Sequence, residues 1–238
     1  SSGNSYPLIV TAIMPLLLAL RAGVRAMVAV DRLALTDVPD VVKEKEIHDY
    51  LALATSLIAR RPPRLIAIGG LSGTGKSTLA RALAPEIGNT PGAVHLRSDI
   101  ERKIMLGAEI SERLPQCCYT SETTREVYER LYEKASATLS SGHSVVIDAV
   151  LLKHDERRKI QEIANRASVD FLGLWLVAET DEMLKRVVAR RGDASDADAR
   201  IVEMQLAQDR GQIDWIKLNT QGTPETVQER ARQMLLSS

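Results

Sequence analysis

The sequence predicts an α/β fold: five parallel strands in one sheet, helices on both faces, and a helical appendage in front. From residue 64 onward, short apolar runs alternate with segments whose apolar residues recur every three to four positions, the pattern of β-α units that build a parallel sheet. The first run leads into Gly70-Leu71-Ser72-Gly73-Thr74-Gly75-Lys76-Ser77, which fits G-x-x-x-x-G-K-[ST] at every fixed position, and a helical pattern follows it. Before the stiff boundary Arg61-Pro62-Pro63 the pattern is helical only. The expected division is therefore a helical appendage over 1–62 and an α/β domain over 63–238.

In order, residues 1–5 read as a frayed end or a cloning remnant. Leu8–Leu20 is mostly apolar and interrupted by Pro15. It is too short to span a bilayer, with Arg21 and Arg25 following at once, so a buried helix pair over 9–33 is expected and no membrane. No basic segment precedes it, which argues against a signal peptide. A further helix runs over 41–60 with Ile47, Leu51, Ala54 and Ile58 on one face. The strands are expected at 64–68, 93–97, 144–148, 170–177 and 215–218. Helices are expected from Lys76, from Ser98 or Asp99 as N-cap, and over 121–139, 153–167, 181–191 and 197–210, with a last one capped by Thr223 and opened by Pro224. Gly107–Tyr119 reads as irregular.

Composition narrows the function classes. Lysine plus arginine (31) balances aspartate plus glutamate (31), so no general field attracts nucleic acid. Only 3% of residues are aromatic, which disfavours a base-stacking surface. The adjacent Cys117 and Cys118 read as reduced thiols in a cytoplasmic protein, and no Cys/His cluster has zinc spacing.

The glycine motif reads as a phosphate-binding loop, and the sheet as a P-loop NTPase fold. Successive backbone N–H groups must turn toward one anionic phosphate chain, and side chains at Gly70, Gly73 and Gly75 would block that approach. Ser72, Thr74 and Thr78 complete the nucleotide-binding stretch, and the helix N-terminus adds positive charge. Lys76 would span the β and γ phosphates of ATP, and the Ser77 hydroxyl would bind Mg²⁺. Asp99, just past a strand, is the candidate base for an attacking hydroxyl; its plainer reading is a helix N-cap. Arg102, one turn on, would hold an anionic substrate group or the γ-phosphate, or is a solvated helix charge. Asp148 ends the third strand, where a carboxylate holds the metal of a Mg-nucleotide directly or through water, or caps the approach to a helix. Arg186, Arg190 and Arg191 read as lid arginines that neutralise charge on the transferring phosphoryl group, or as solvated charges paired with Asp181, Glu182, Asp193 or Asp196. The backbone of Asn219-Thr220-Gln221-Gly222 would meet adenine, which puts Thr220 and Gly222 in the nucleotide site. Trp175 and Trp215 read as core, and His95, His143 and His154 as solvated or structural.

These motifs together resemble the small P-loop kinases, a group that includes gluconate kinase, zeta-toxin-like kinases and the kinase domain of polynucleotide 5′-hydroxyl kinases. The resemblance rests on GLSGTGKST (70–78), RSDIERK (97–103) and GHSVVIDAVLL (142–152), extends through FLGLWL (171–176) and RVVARRGDASDAD (186–198), and covers 63–222. It is closest to a bacterial kinase domain fused behind an aminoglycoside-phosphotransferase-like domain, in which the stretch before the kinase looks like LLLALRAGVRAMVAV (16–30). It implies ATP- and Mg²⁺-dependent phosphorylation of a small-molecule hydroxyl, with Asp99 as base candidate, Arg102 as its partner, and lid residues among the arginines at 186–191. It also implies that 1–62 are the last helices of a preceding phosphotransferase-like domain. One departure is Asp148-Ala149-Val150, where the group often has Asp-Ala-Thr; this leaves substrate choice open. Two other readings of the same residues remain: a kinase for nucleic-acid 5′ ends, and a non-catalytic ATP sensor that regulates a fused domain.

Overall fold

The computed structural model describes residues 6–35, 41–59, 61–189 and 199–236. They form two compact units, one built on the first two helices and one from residue 62 onward, with residues 89–92 grouped with the first.

The larger unit is organised on five parallel strands: β1 (Arg64–Gly70), β2 (Val94–Arg97), β3 (Val145–Asp148), β4 (Asp170–Val177) and β5 (Ile216–Asn219), in the order β2-β3-β1-β4-β5. This is the expected α/β fold. The central β1 is apolar on both sides because helices cover both faces. Leu65 pairs with Val145 and Phe171 in the ladder, so these three point to one face; Ile66, Val146 and Leu172 point to the other. The first face packs on Val127, Leu131 and Ala135 of α5 (Ser121–Ser140) and on Ile160 and Ala164 of α6 (His154–Ala167). The second packs on Leu79, Ala80 and Leu83 of α3 (Lys76–Leu83) and on Val227 and Ala231 of α9 (Pro224–Leu236). Trp175 and Trp215 lie in the first of these cores, as read from the sequence.

Between these elements run α4 (Ser98–Leu106), α7 (Thr180–Ala189) and α8 (Ala199–Ala207). The start of α4 differs from expectation. β2 enters the helix directly, and Arg97, with extended backbone, is the N-cap; Ser98 and Asp99 already lie in the first turn, so neither caps it. β2 itself is an edge strand with Val94 and His95 only half-buried, because one of its sides has no neighbouring strand.

The smaller unit packs α1 (Tyr6–Ala34) along α2 (Val41–Ile58). A helix pair was expected over 9–33; a single helix runs through Pro15 instead. Proline removes one hydrogen bond from the ladder, and the strong helix formers after it, leucine, alanine, arginine and methionine, continue the helix. Nor is α1 buried on its large side chains. Ala19, Ala22, Ala26 and Ala29 form its buried stripe, whereas Leu16, Leu20 and Met27 are 64%, 66% and 61% exposed. Ile13–Ala34, with mean hydropathy 1.8, is also long and apolar enough to cross a membrane by length and composition, because the helix continues without a break through Arg21 and Arg25, beyond the apolar run Leu8–Leu20. On α2 the inward positions are Ile47, Tyr50, Ala54 and Leu57; Leu51 and Ile58 are exposed, so the buried face is rotated from the expected stripe.

Candidate active site

The phosphate loop hangs between the end of β1 and the start of α3. The Gly70 N–H donates to the carbonyl of Val150 at 3.2 Å, which ties the loop to the segment after β3. Within the loop, the Leu71 carbonyl accepts from the Thr74 N–H (3.3 Å), the Thr74 hydroxyl (2.8 Å) and Lys76 Nζ (2.9 Å). Gly73 adopts φ 85°, and a Cβ there would sit 2.5 Å from the Met183 carbonyl oxygen, so only glycine fits. Gly75, at φ 93°, is the N-cap of α3. Ser72 and Thr74 are buried, and Thr78 is exposed on α3.

Asp148 ends β3 directly across the ladder from Arg97. Its Oδ2 lies 3.3 Å from His95 Nε2 and 3.4 Å from Arg97 Nε, and Arg97 Nη2 donates to the Ser77 hydroxyl at 3.3 Å. Burial alone pushes the Asp148 carboxyl up, but the His95 hydrogen bond, the Lys76 charge and the Ser77 hydroxyl together hold it below the ordinary aspartate range. Ser77 and Asp148 are thus adjacent, and the carboxylate is ionised. This hydroxyl-plus-carboxylate pair is the hard oxygen set that suits Mg²⁺ beside phosphate oxygens. Among the described residues no group of three or more His, Cys, Asp or Glu could hold a metal ion, so phosphate oxygens and water would have to complete the shell.

A cleft of about 1460 Å³ opens from the loop toward α4 and α5. Ser72, Lys76, Ser77, Asp99, Arg102 and Asp148 all line it, so it brings the loop and both candidate carboxylates together. Arg102 is 5% exposed; it donates to the Cys118 carbonyl (3.1 Å) and the Thr124 hydroxyl (3.3 Å), and its guanidinium carbon lies 4.6 Å from the Tyr119 ring centroid. Its Nε is buried with no hydrogen-bond partner among the described residues. Arg102 is therefore not a solvated helix charge. Leu114, Pro115, Gln116 and Tyr119 of the irregular segment line the cleft, as does Val150, the position where a threonine hydroxyl was missed. Cys117 is exposed, and Cys118 meets Arg102 through its carbonyl; neither lines the cleft.

On the other side of the loop, Arg186 Nη2 donates to the Thr220 carbonyl at 3.1 Å, and Nη1 reaches the Thr220 hydroxyl at 3.4 Å. Arg186 Nε also pairs with Glu182 at 3.0 Å. A Cβ on Gly75 would lie 3.8 Å from Arg186 Nη1, so this guanidinium sits between the loop and Thr220. Thr220 is buried, and Gly222 follows it in an exposed turn at φ 106°. Arg190 and Arg191 lie outside the described residues.

Three site residues escaped the sequence reading. Arg97 and His95 contact Asp148, and their signal was available: polar residues two apart in a strand share a face, and that face meets the end of β3. The third is Gln205 on α8, whose Oε1 accepts the Ser72 N–H at 2.8 Å. Nothing in a lone glutamine on a helix announces such a contact.

A curated relative, an uncharacterized protein of Mycobacterium tuberculosis, is 31% identical over 217 residues, 90% of this chain; the chain spans only 41% of that relative's length. An adenylyl-sulfate kinase of Myxococcus xanthus is 28% identical over 120 residues, covering 50% of this chain and 60% of that enzyme. Among solved structures, an unliganded sugar kinase from a Janibacter species superimposes with a TM-score of 0.55 at 24% identity, over 73% of this chain and 95% of that one, a likeness of fold. The sequence profile of the AAA domain family matches residues 65–234, spanning β1, the phosphate loop, the Asp148 cluster and α9, and the chain belongs to that family.

Proposed function

We propose that the chain is an ATP-dependent kinase that transfers the γ-phosphoryl group to a hydroxyl of a small molecule. The observation that carries this reading is that one cleft is lined both by Lys76, Ser77 and Asp148 and by Asp99 and Arg102. Kinases among the similar proteins support the reaction class.

In this reading the Asp99 carboxylate accepts the proton of the acceptor hydroxyl as its oxygen bonds to the γ-phosphorus and the bond to the β-γ bridging oxygen breaks, releasing ADP. Lys76 exchanges its contact with the Leu71 carbonyl for the phosphates. Arg102 has donors beyond its two hydrogen bonds and orients an anionic group on the acceptor. Arg186 holds the nucleotide beside Gly75 and Thr220, with Arg190 and Arg191 as further lid arginines. Ser77 and Asp148 would hold Mg²⁺, which supplies charge neutralisation at the phosphate oxygens. Residues 1–62 we read as the end of a preceding phosphotransferase-like domain, consistent with relatives longer than this chain. Neither cysteine is in a disulfide, which suits a reducing, cytoplasmic setting.

The test is ADP release with Mg²⁺ across sugar acids, nucleosides, aminoglycosides and 5′-hydroxyl oligonucleotides, with Asp99→Ala alongside. Acceptor-dependent turnover lost by a factor of about 100 or more in the variant, with ATP still bound, is the expected result. A response to oligonucleotides alone moves the acceptor to nucleic acid. ATP binding with no acceptor-dependent turnover overturns the kinase reading.

A further inference from the structure

Arg157, on α6, is 3% exposed, yet its four hydrogen bonds among the described residues all go to backbone carbonyls. Nη1 donates to Leu151 (2.8 Å) and Leu152 (2.7 Å), and Nη2 donates to Arg210 (2.7 Å) and Gln212 (2.8 Å). Its guanidinium carbon also lies 5.5 Å from the Trp175 ring centroid. The two pairs of carbonyls belong to segments far apart in sequence. Leu151 and Leu152 follow Val150, whose carbonyl seats the first N–H of the phosphate loop, and Leu151 itself is held at φ 52°, a left-handed conformation unusual for leucine. Its N–H donates to the Tyr128 hydroxyl at 3.0 Å; burial pushes that phenol well above its ordinary range and keeps it neutral. Arg210 and Gln212 lie just beyond the last turn of α8, the turn that carries Gln205 to the Ser72 N–H.

We propose that Arg157 is a positioning residue of the transfer site. By clamping the exit of α8 to the segment that seats the phosphate loop, it fixes Gln205 on the Ser72 N–H. With its oxygen taken by Ser72, the Gln205 amide turns its nitrogen donors away from the loop N–H, and Gln205 lines the same cleft as Lys76 and Asp99. The end of α8 is then a fixed wall of the site. Only arginine serves here: a planar fork reaches four carbonyls on two segments, which a single ammonium does not. The functional meaning of this clamp rests on the kinase reading, but its geometry does not.

The test is the hydrogen exchange of the Ser72 amide, followed by NMR in the full chain without nucleotide. Gln205→Ala should speed exchange at Ser72 by about tenfold or more and leave the amides of β1 and β4 as they are. Arg157→Lys should speed Ser72 to the same level, and the double variant should be no faster than either single one. Gly211→Ala approaches the clamp from its other side. Gly211 sits between the two clamped carbonyls at φ 58°, where an added Cβ meets only the Cβ of His154 at 3.7 Å, so the variant strains that loop without crowding it, and Ser72 should again exchange faster. If Arg157→Lys does not fold, Gly211→Ala decides. Wild-type exchange at Ser72 in the clamp variants, or equal acceleration throughout the sheet, overturns the proposal. ATP turnover measured on the same wild-type sample separates the two claims: slow Ser72 exchange without turnover removes the kinase reading and leaves the clamp.

Discussion

His95 Nε2 stands 3.3 Å from Asp148 Oδ2, so the edge strand supplies a partner to the carboxylate that ends β3. The ladder pairs Arg97 with Asp148, and His95, two residues earlier, shares their face and reaches forward to the same oxygen. Asp148 is thereby held below the ordinary aspartate range in a place where burial alone pushes its carboxyl up.

Asp148 then has a defined effect on acid stability. Its carboxyl titrates lower in the folded chain than unfolded, so its contribution is complete above the unfolded value of about 3.9 and is lost as pH falls through the folded one. His95→Ala removes the largest of the lowering contributions and should cost about 1–2 kcal/mol near neutrality. Its acid unfolding, followed by far-ultraviolet circular dichroism, should begin at higher pH than in the wild type. Superimposable acid limbs would show that His95 does not support the carboxylate.

Arg97→Met leaves a buried carboxylate with one cation fewer. A loss of about 3 kcal/mol is expected, which for a chain of this size lowers the melting temperature by roughly 6–12 °C. Scanning calorimetry on the variant measures it, and a change within 2 °C would mean the pair contributes little net stability.

Gly73 and Gly75 both have positive φ, but their surroundings differ. An added methyl at Gly73 collides with the Met183 backbone, whereas at Gly75 it meets only Arg186 at 3.8 Å. Gly73→Ala should therefore lower thermal stability by at least twice as much as Gly75→Ala, while both weaken ATP binding. Equal melting temperatures for the two variants would contradict the close approach of Met183 to the loop.

Arg186→Ala should weaken nucleotide binding about tenfold, the loss of roughly 1.4 kcal/mol of interaction, with little change in melting temperature because the side chain is only half-buried. Isothermal titration with a non-hydrolysable ATP analogue reads this directly. Unchanged affinity would remove Arg186 from the nucleotide site.

In the helical unit, Ala22→Leu forces a large side chain into the alanine seam between α1 and α2 and should cost about 1–3 kcal/mol. Leu20→Lys, on the exposed side of α1, should leave stability within about 0.5 kcal/mol. Chemical denaturation of both variants checks the pair, and the reverse ranking would place the seam on the leucine side.

The parallel sheet and the phosphate loop were legible in the sequence because both depend on local pattern. An apolar run, a glycine motif and a helical repeat follow one another without a break at 64–84. Asp148 was legible for the same reason, as a charge at the end of an apolar run. Arg157 was not. It sits in His154-Asp155-Glu156-Arg157-Arg158-Lys159, where a buried clamp and a solvated charge are written with the same residue type, and only the three-dimensional path of α8 supplies its acceptors. The helix pair expected over 9–33 failed because Pro15 does not end the helix, and its burial is carried by Ala19, Ala22, Ala26 and Ala29, with Leu16 and Leu20 left outside.

The order β2-β3-β1-β4-β5 has a consequence for how the chain is made. β1 is the central strand, yet its neighbours β3 and β4 begin at Val145 and Asp170. At about 5–20 residues per second of synthesis, the central strand waits roughly 4–20 s for partners on either edge. Through that interval Leu65, Ile66 and Ile68 depend on α3 or on a chaperone for cover. Slowing translation between codons 70 and 145 should therefore lower the soluble yield more than slowing it after 177, when the sheet can already close.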